Sequence, residues 1–366
     1  MNDNNNIYFK LQQHFNRMPV GLPKSQSGVE IRLLKLLFTE EEAQLAMELN
    51  FNPQKLEKIY RRLKNNNISL DELDNKLEKM YENGTVIRLI NNDEKLYSLA
   101  ALVPGIFEYQ LGRLTPELID IIFQYFEEAY FEKEFNVSGI PQVRTVPIEQ
   151  AIPIDLPIAS YDKIRKLIDI SSEIGIMDCI CRKAHDMIGD PCKRTDLRET
   201  CLTFGGTAKI FYEKGEAKFI SKEKACELIK DFEEAGLVPQ VSNSQQPDFI
   251  CNCCGCCCEV LTNQKRFDKP AELFASNYHA IIDKNLCVGC GVCEERCNMD
   301  AISLIDGVSE INLGRCIGCG LCIPTCSENA IKLEMNEKET IPPLNIQGTY
   351  IEIMNAKAKL AQTTKK

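Results

Sequence analysis

Every one of the 19 cysteines in this 366-residue chain lies at or beyond Cys179, and that asymmetry limits what the chain can fold into. A chain of this length can bury two or three cores without cross-links, so stability does not require cysteines in such number. Of these, 18 fall into three tight groups, and Cys226 stands apart among the apolar positions of a helical stretch, where it reads as a core thiol. The densest group is ICNCCGCCCEV, which carries Cys251, Cys253, Cys254, Cys256, Cys257 and Cys258. The opening residues, Met1 to Asn6, lack the basic and apolar regions of a secretory signal. Clustered CxxC spacings in such a chain point to metal-binding thiols of a cytoplasmic protein, not to a disulfide framework. No apolar run approaches the ~18 residues of a spanning helix, so no membrane span is expected.

The cysteine-free part has its own organisation. Residues 1–24 look like a polar arm with Gly and Pro, and a winged-helix-like domain is expected over 25–100. There, Thr39 with Glu42 and Ser69 with Glu72 have the spacing of capping boxes. Asn91-Asn92-Asp93 sits where a hairpin would turn, and Gly84 where the preceding helix would stop. Residues 26–100 hold 11 Lys/Arg against 13 Asp/Glu, and the net charge of the whole chain is -10. Both count against phosphate neutralisation, although Lys58, Arg61, Arg62 and Lys64 form a small basic cluster. Protein–protein contact is therefore the expected role, and because winged-helix domains often pair, a homodimer is the expected oligomer. Residues 101–160 supply an aromatic-rich amphipathic helix and a connector in which Pro141, Pro147, Pro153 and Pro157 forbid a long helix. A helical, cysteine-rich domain is expected over 161–278, followed by a second cysteine-bearing domain over 279–335 and a tail or helix over 336–366. The fold class is thus α+β and multidomain.

The run Cys287-x2-Cys290-x2-Cys293-x3-Cys297 recurs as Cys316-x2-Cys319-x2-Cys322-x3-Cys326. Zinc sites also use CxxC pairs but seldom this four-cysteine spacing twice over. The pattern resembles the bacterial dicluster ferredoxins over about residues 279–335. In that family the fourth cysteine of each run ligates the other cluster. The resemblance therefore implies two [4Fe-4S] clusters: cluster A on Cys287, Cys290, Cys293 and Cys326, and cluster B on Cys316, Cys319, Cys322 and Cys297. Gly291 and Gly320 keep the cluster-binding turns narrow, and Ala301-Ile302 and Ala330-Ile331 match the small apolar positions beside the clusters. One departure stands out: the proline usual after each fourth cysteine is replaced by Asn298 and Ser327.

The other ten cysteines are Cys179, Cys181, Cys192 and Cys201, with Arg182 and His185 nearby, and the six of the dense group. The CxCR and CxCCxCCC segments ahead of a dicluster module resemble an uncharacterised group of iron–sulfur proteins from anaerobes, over roughly residues 100–335. That group implies an architecture and an anaerobic or low-oxygen host, without an activity. In an extended strand, Cys251 and Cys253 share a face and Cys254 does not; Gly255 gives the freedom for the turn that follows. Ten thiols over-supply one cubane and suffice for two, so one or two additional Fe–S clusters built jointly by both segments are expected, with zinc and a thiol–disulfide site as alternatives. Arg182 is a candidate to offset cluster charge or to bond a ligand sulfur, with a plain surface arginine as the alternative. His185 reads as a core or surface residue before a ligand or proton carrier. Cys254, Cys257 and Cys258 are the candidates for a reactive thiol outside the ligand set.

These residues lead to an electron-transfer protein, or the electron-handling subunit of an oxidoreductase, passing single electrons between the dicluster module and the cysteine-rich centre. The expected partner is a redox protein. A redox-sensing DNA-binding regulator and a thiol/disulfide or small-substrate reductase are the alternatives.

Overall fold

A computed structural model describes residues 6–63, 68–153 and 158–363, which leaves Lys64 and Pro157 outside the described residues. The chain divides into two compact units, one of residues 1–138 with 353–366, the other of residues 139–352. It mixes helix and sheet, as an α+β chain should.

The first unit begins earlier than the expected polar arm allows. Ile7–Phe15 is a helix capped by Asn6, and Tyr8, Leu11, Gln12 and Phe15 are buried. Its apolar side chains recur at helical spacing between polar neighbours, and that short period is masked by the composition of the flanking residues. Helices Val29–Leu37, Glu40–Ala46, Leu56–Leu63 and Leu70–Glu82 follow. Both capping boxes form: the hydroxyls of Thr39 and Ser69 accept from the backbone N–H groups of Glu42 and Glu72, whose carboxylates accept in return. Strands Val86–Asn91 and Glu94–Leu99 pair as a hairpin through Asn92 and Asp93, both at positive φ, and Gln54–Lys55 adds a third strand beside Glu94–Leu99. The aromatic-rich segment is an α-helix over Pro116–Tyr125 that widens into π-helical turns over Phe126–Phe135. Its rings pack on one another, Phe126, Tyr130, Phe131 and Phe135 being buried.

The second unit corrects the helical reading of the cysteine-rich domain. Its frame is a six-stranded antiparallel sheet in the order Val143–Thr145, Val238–Ser242, Phe249–Cys253, Glu199–Phe204, Ile174–Asp178, Ala217–Phe219. The connector thus supplies an edge strand, and the stretch read as one helix up to Asp178 is a helix, Ile164–Ile170, followed by a strand. The reason is burial on both faces. All five residues of Val238–Ser242 and four of the five in Ile174–Asp178 are buried, so the apolar/polar alternation that advertises a strand is missing. One face, with Ile174, Ile176, Leu202, Phe204 and Ile250, packs under helices Ile164–Ile170 and Lys222–Glu234. Cys226 packs, half-buried, against this core. A buried pair, Arg144 with Asp162, ties the edge strand to the following turn, and Asn277 donates to the same carboxylate at 3.0 Å.

Beyond the sheet, Tyr278–Ile282 pairs with Ile331–Met335 and Ile302–Ile305 pairs with Val308–Ile311, both antiparallel. Each ribbon follows or precedes a cysteine run, so the two runs occupy equivalent places.

Candidate metal centres

The two cysteine runs at the C-terminal side each enclose a set of four thiols. Cys287, Cys290, Cys293 and Cys326 line one cavity together with Val288, Val292 and Ile331. Cys322 is buried with Cys319, Cys316 and Cys297 close enough to raise its pKa, after burial itself, which is the larger cause. Burial likewise pushes Cys319 up to about 12. Backbone N–H groups point at the sulfurs: Ser309 at Cys287, Ala280 at Cys316, Ala301 at Cys297 and Ala330 at Cys326, all at 3.3–3.4 Å. Such donors suit thiolates bound to a cluster. The hydrogen bond from Ser309 holds Cys287 below the ordinary thiol range. Ala301, Ile302, Ala330 and Ile331 are all buried beside these sets. Gly291 and Gly320 both have positive φ; a Cβ at Gly320 would also lie 2.4 Å from that of Ala151.

The ten middle cysteines separate into two groups. The strand register sets the first, since Cys201 lies directly opposite Cys251 on neighbouring strands. On the face away from the helix-covered core, six thiols close into a ring: Cys179, Cys181, Cys258, Cys253, Cys251, Cys201 and back to Cys179. Each thiol influences the titration of the two beside it, and the sulfurs of Cys201 and Cys251 are 3.9 Å apart. The direction of the pKa shift alternates around the ring. Cys179, Cys251 and Cys258 are drawn below the usual thiol range by two donating neighbours, Cys251 to about 6, while Cys181, Cys201 and Cys253 are held above it.

The second group is Cys192, Cys254, Cys256 and Cys257, whose sulfurs all lie within 4.8 Å of one another. Cys192 is 3.7 Å from both Cys254 and Cys256, and Cys256 is 3.7 Å from Cys257. The Cys257 thiol and then Arg182 bring Cys254 down to about 5, against the opposing effect of burial.

Arg182 is no surface residue. It is wholly buried, donates to Thr200 Oγ1 at 2.5 Å and to the Asn252 carbonyl at 2.9 Å, and its Nε has no hydrogen-bond partner among the described residues. Burial alone would lower its pKa; interaction with the sulfurs of Cys179, Cys254, Cys253 and Cys192 outweighs it and raises the pKa. A buried charge needs compensation. Here it comes from sulfur atoms of both groups, so the donor set fits thiolates with net negative charge better than neutral thiols.

His185 faces a carboxylate instead of a sulfur. Its Nε2 is 3.2 Å from Glu259 Oε1 and its Nδ1 is 3.5 Å from Asp190. The hydrogen bond to Glu259 raises its pKa, and burial raises that of Glu259. Glu259, Thr200 and Asn252 belong to the site yet carry no spacing by which a sequence would reveal them.

Two expectations change. Cys254, Cys257 and Cys258, the candidates for a reactive thiol, are buried, at 1%, 1% and 5% exposure. An attacking thiol needs access, and these lack it. Gly255 does not have the positive φ of a glycine-only turn; a Cβ there would instead lie 2.4 Å from the carbonyl oxygen of Asn298. The same Asn298, in the position where proline is usual, accepts from the Gly255 N–H at 2.8 Å and donates to the Gly236 carbonyl at 2.9 Å. Its departure from the pattern was the one available signal for this seam.

Residues 279–327 match the family described as a 4Fe-4S dicluster domain. No curated protein and no solved structure matches the chain. The matched domain and the clustered cysteines support an iron–sulfur electron-transfer role. Among the described residues, no helix is long and apolar enough to cross a membrane.

Proposed function

We propose that the protein is the electron-handling component of a redox system, in which a dicluster module exchanges electrons with a further iron–sulfur centre built on the middle sheet. The observation that carries this reading is the seam just described: Asn298, next to Cys297, is hydrogen-bonded to Gly255, next to Cys254 and Cys256. Cluster A is assigned to Cys287, Cys290, Cys293 and Cys326, cluster B to Cys297, Cys316, Cys319 and Cys322, and the further centre to the six-thiol ring. When bound, such clusters take up and release single electrons.

The chain's own residues suit the two ends of the path to different tasks. Around cluster A, Cys290 is exposed and so are Val288 and Val292, at 66% and 44%, which offers an apolar contact to a redox partner. Around cluster B, Cys319 is half-buried, Cys322 is buried, and the Cys319 backbone carbonyl accepts from Ile148 at 3.0 Å, so this side packs against the rest of its unit. Arg182 lies among the middle thiolates and balances their charge. The N-terminal unit is read as a winged-helix-like contact module. Of its basic cluster, Arg62 is engaged by the Glu48 carboxylate and by Gln54 at 2.9 Å.

The test is an iron and sulfide count on anaerobically purified full-length protein, with paramagnetic resonance during reductive titration. The dicluster module alone accounts for about 8 iron ions. A count of about 12 or more is expected, falling to about 8 in Cys201→Ala. A wild-type count of about 8 with a plain ferredoxin signal would remove the further iron–sulfur centre.

A further inference from the structure

We infer that Cys192, Cys254, Cys256 and Cys257 hold a single tetrahedral metal ion, separate from the six-thiol ring. This rests on reading the middle thiols as metal ligands, and it divides them. The spacing is the reason. Four sulfurs at ~2.3 Å from one zinc ion stand ~3.8 Å apart along the edges of the tetrahedron. Three of the edges here measure 3.7 Å, and all four sulfurs lie within 4.8 Å. The ligands of a cubane bind at its four outer corners and must stand much further apart. Among the described residues this is the one group of three or more His, Cys, Asp or Glu side chains whose ligand atoms all lie within 4.8 Å of one another.

The surroundings suit a closed structural site. Cys254 and Cys257 belong to the apolar core, with the half-buried Cys192 and Cys256 packed against its margin, as four protein ligands of a structural site would be. A four-thiolate ion carries net negative charge, and the buried guanidinium of Arg182, which interacts with Cys254 and Cys192, answers it. Three ligands come from one short loop and the fourth from a distant one. The ion would therefore pin the segment around Cys192 to the end of strand Phe249–Cys253 and stiffen the loop whose Gly255 meets Asn298. Zinc and a sulfide-free iron share this chemistry.

The experiment is elemental analysis with acid-labile sulfide on the full-length wild-type protein and on Cys256→Ala, chosen because Cys256 is only half-buried. The expected result is the loss of one zinc or one iron per chain in the variant with sulfide unchanged. Loss of about 4 iron ions with matching sulfide would overturn the inference in favour of a cubane, and so would no loss at all. Should the variant fail to fold, the wild-type protein decides. Zinc-edge absorption showing four sulfurs at ~2.3 Å and no neighbouring metal supports the site, as does a Mössbauer component of sulfide-free iron; the absence of both overturns it. An extra single ion above about 8 iron ions, with Cys201→Ala removing none, would sink the iron–sulfur ring while leaving this site standing.

Discussion

The two thiol-rich regions of the second unit differ in how their sulfurs are brought together. Around clusters A and B the candidates come from two short runs, 287–297 and 316–326, each followed within a few residues by a strand. In the middle sheet the ring draws on the ends of three strands and on the residues opening two helices, from Cys179 to Cys258. Local loops can carry cluster ligands into any protein that tolerates them. A ring assembled by strand register exists only if the sheet forms, so any metal it holds would be coupled to the fold.

The strongest way to break the comparison is Arg182→Met. It leaves the thiolates of both middle groups without their buried counter-charge, and breaking such a compensation typically costs about 3–5 kcal/mol. Chemical denaturation should show that loss, and metal analysis should show the middle metals gone while about 8 iron ions remain. Equal depletion of both regions would mean that they are one cooperative assembly.

A smaller effect is expected at the seam. Asn298→Ala removes the partners of the Gly255 N–H and the Gly236 carbonyl, a cost of about 1–3 kcal/mol for each group left unsatisfied in the interior. Gly255→Ala attacks the same contact from the other side, placing a methyl against the Asn298 carbonyl, with an overpacking cost of about 1–3 kcal/mol. Both variants should keep the iron of the dicluster module and alter the magnetic interaction between the two regions. Unchanged spectra in both would show that the seam is mechanical only.

The smallest effect serves as the control. Ser327 occupies the position equivalent to Asn298 but is exposed, so Ser327→Pro should shift stability by no more than about 0.5 kcal/mol. Asn298→Pro, which discards the same two bonds as the alanine variant, should not be tolerated in this way.

The same contrast explains what could be read from the chain beforehand. The match to a 4Fe-4S dicluster domain falls where the repeated cysteine spacing resembles that family, because that spacing is local; the capping boxes at Thr39 and Ser69 are legible for the same reason. The partition of the ten middle cysteines was not legible. Cys201 meets Cys251 through antiparallel register, which no spacing along the chain encodes. Cys254 and Cys253 are neighbours in sequence and fall in different groups, since one ends the strand and the other begins the loop. The helical reading of the domain failed for a related reason. Strands such as Val238–Ser242 are buried on both faces and lack the alternation that would mark them. Arg182 was noticed for its place in CxCR, but its burial follows from Thr200 and Asn252, 18 and 70 residues away.

One feature of the division into units bears on how the chain is made. Residues 353–366 belong with residues 1–138, and Lys357 within them pairs with the buried Glu134 and donates to the Pro19 carbonyl at 2.9 Å. The cysteine-bearing unit is therefore an insertion. During synthesis its whole length leaves the ribosome before the first unit receives its last helical segment. All of the thiols are thus synthesised while the first unit still lacks the Lys357 cation for Glu134.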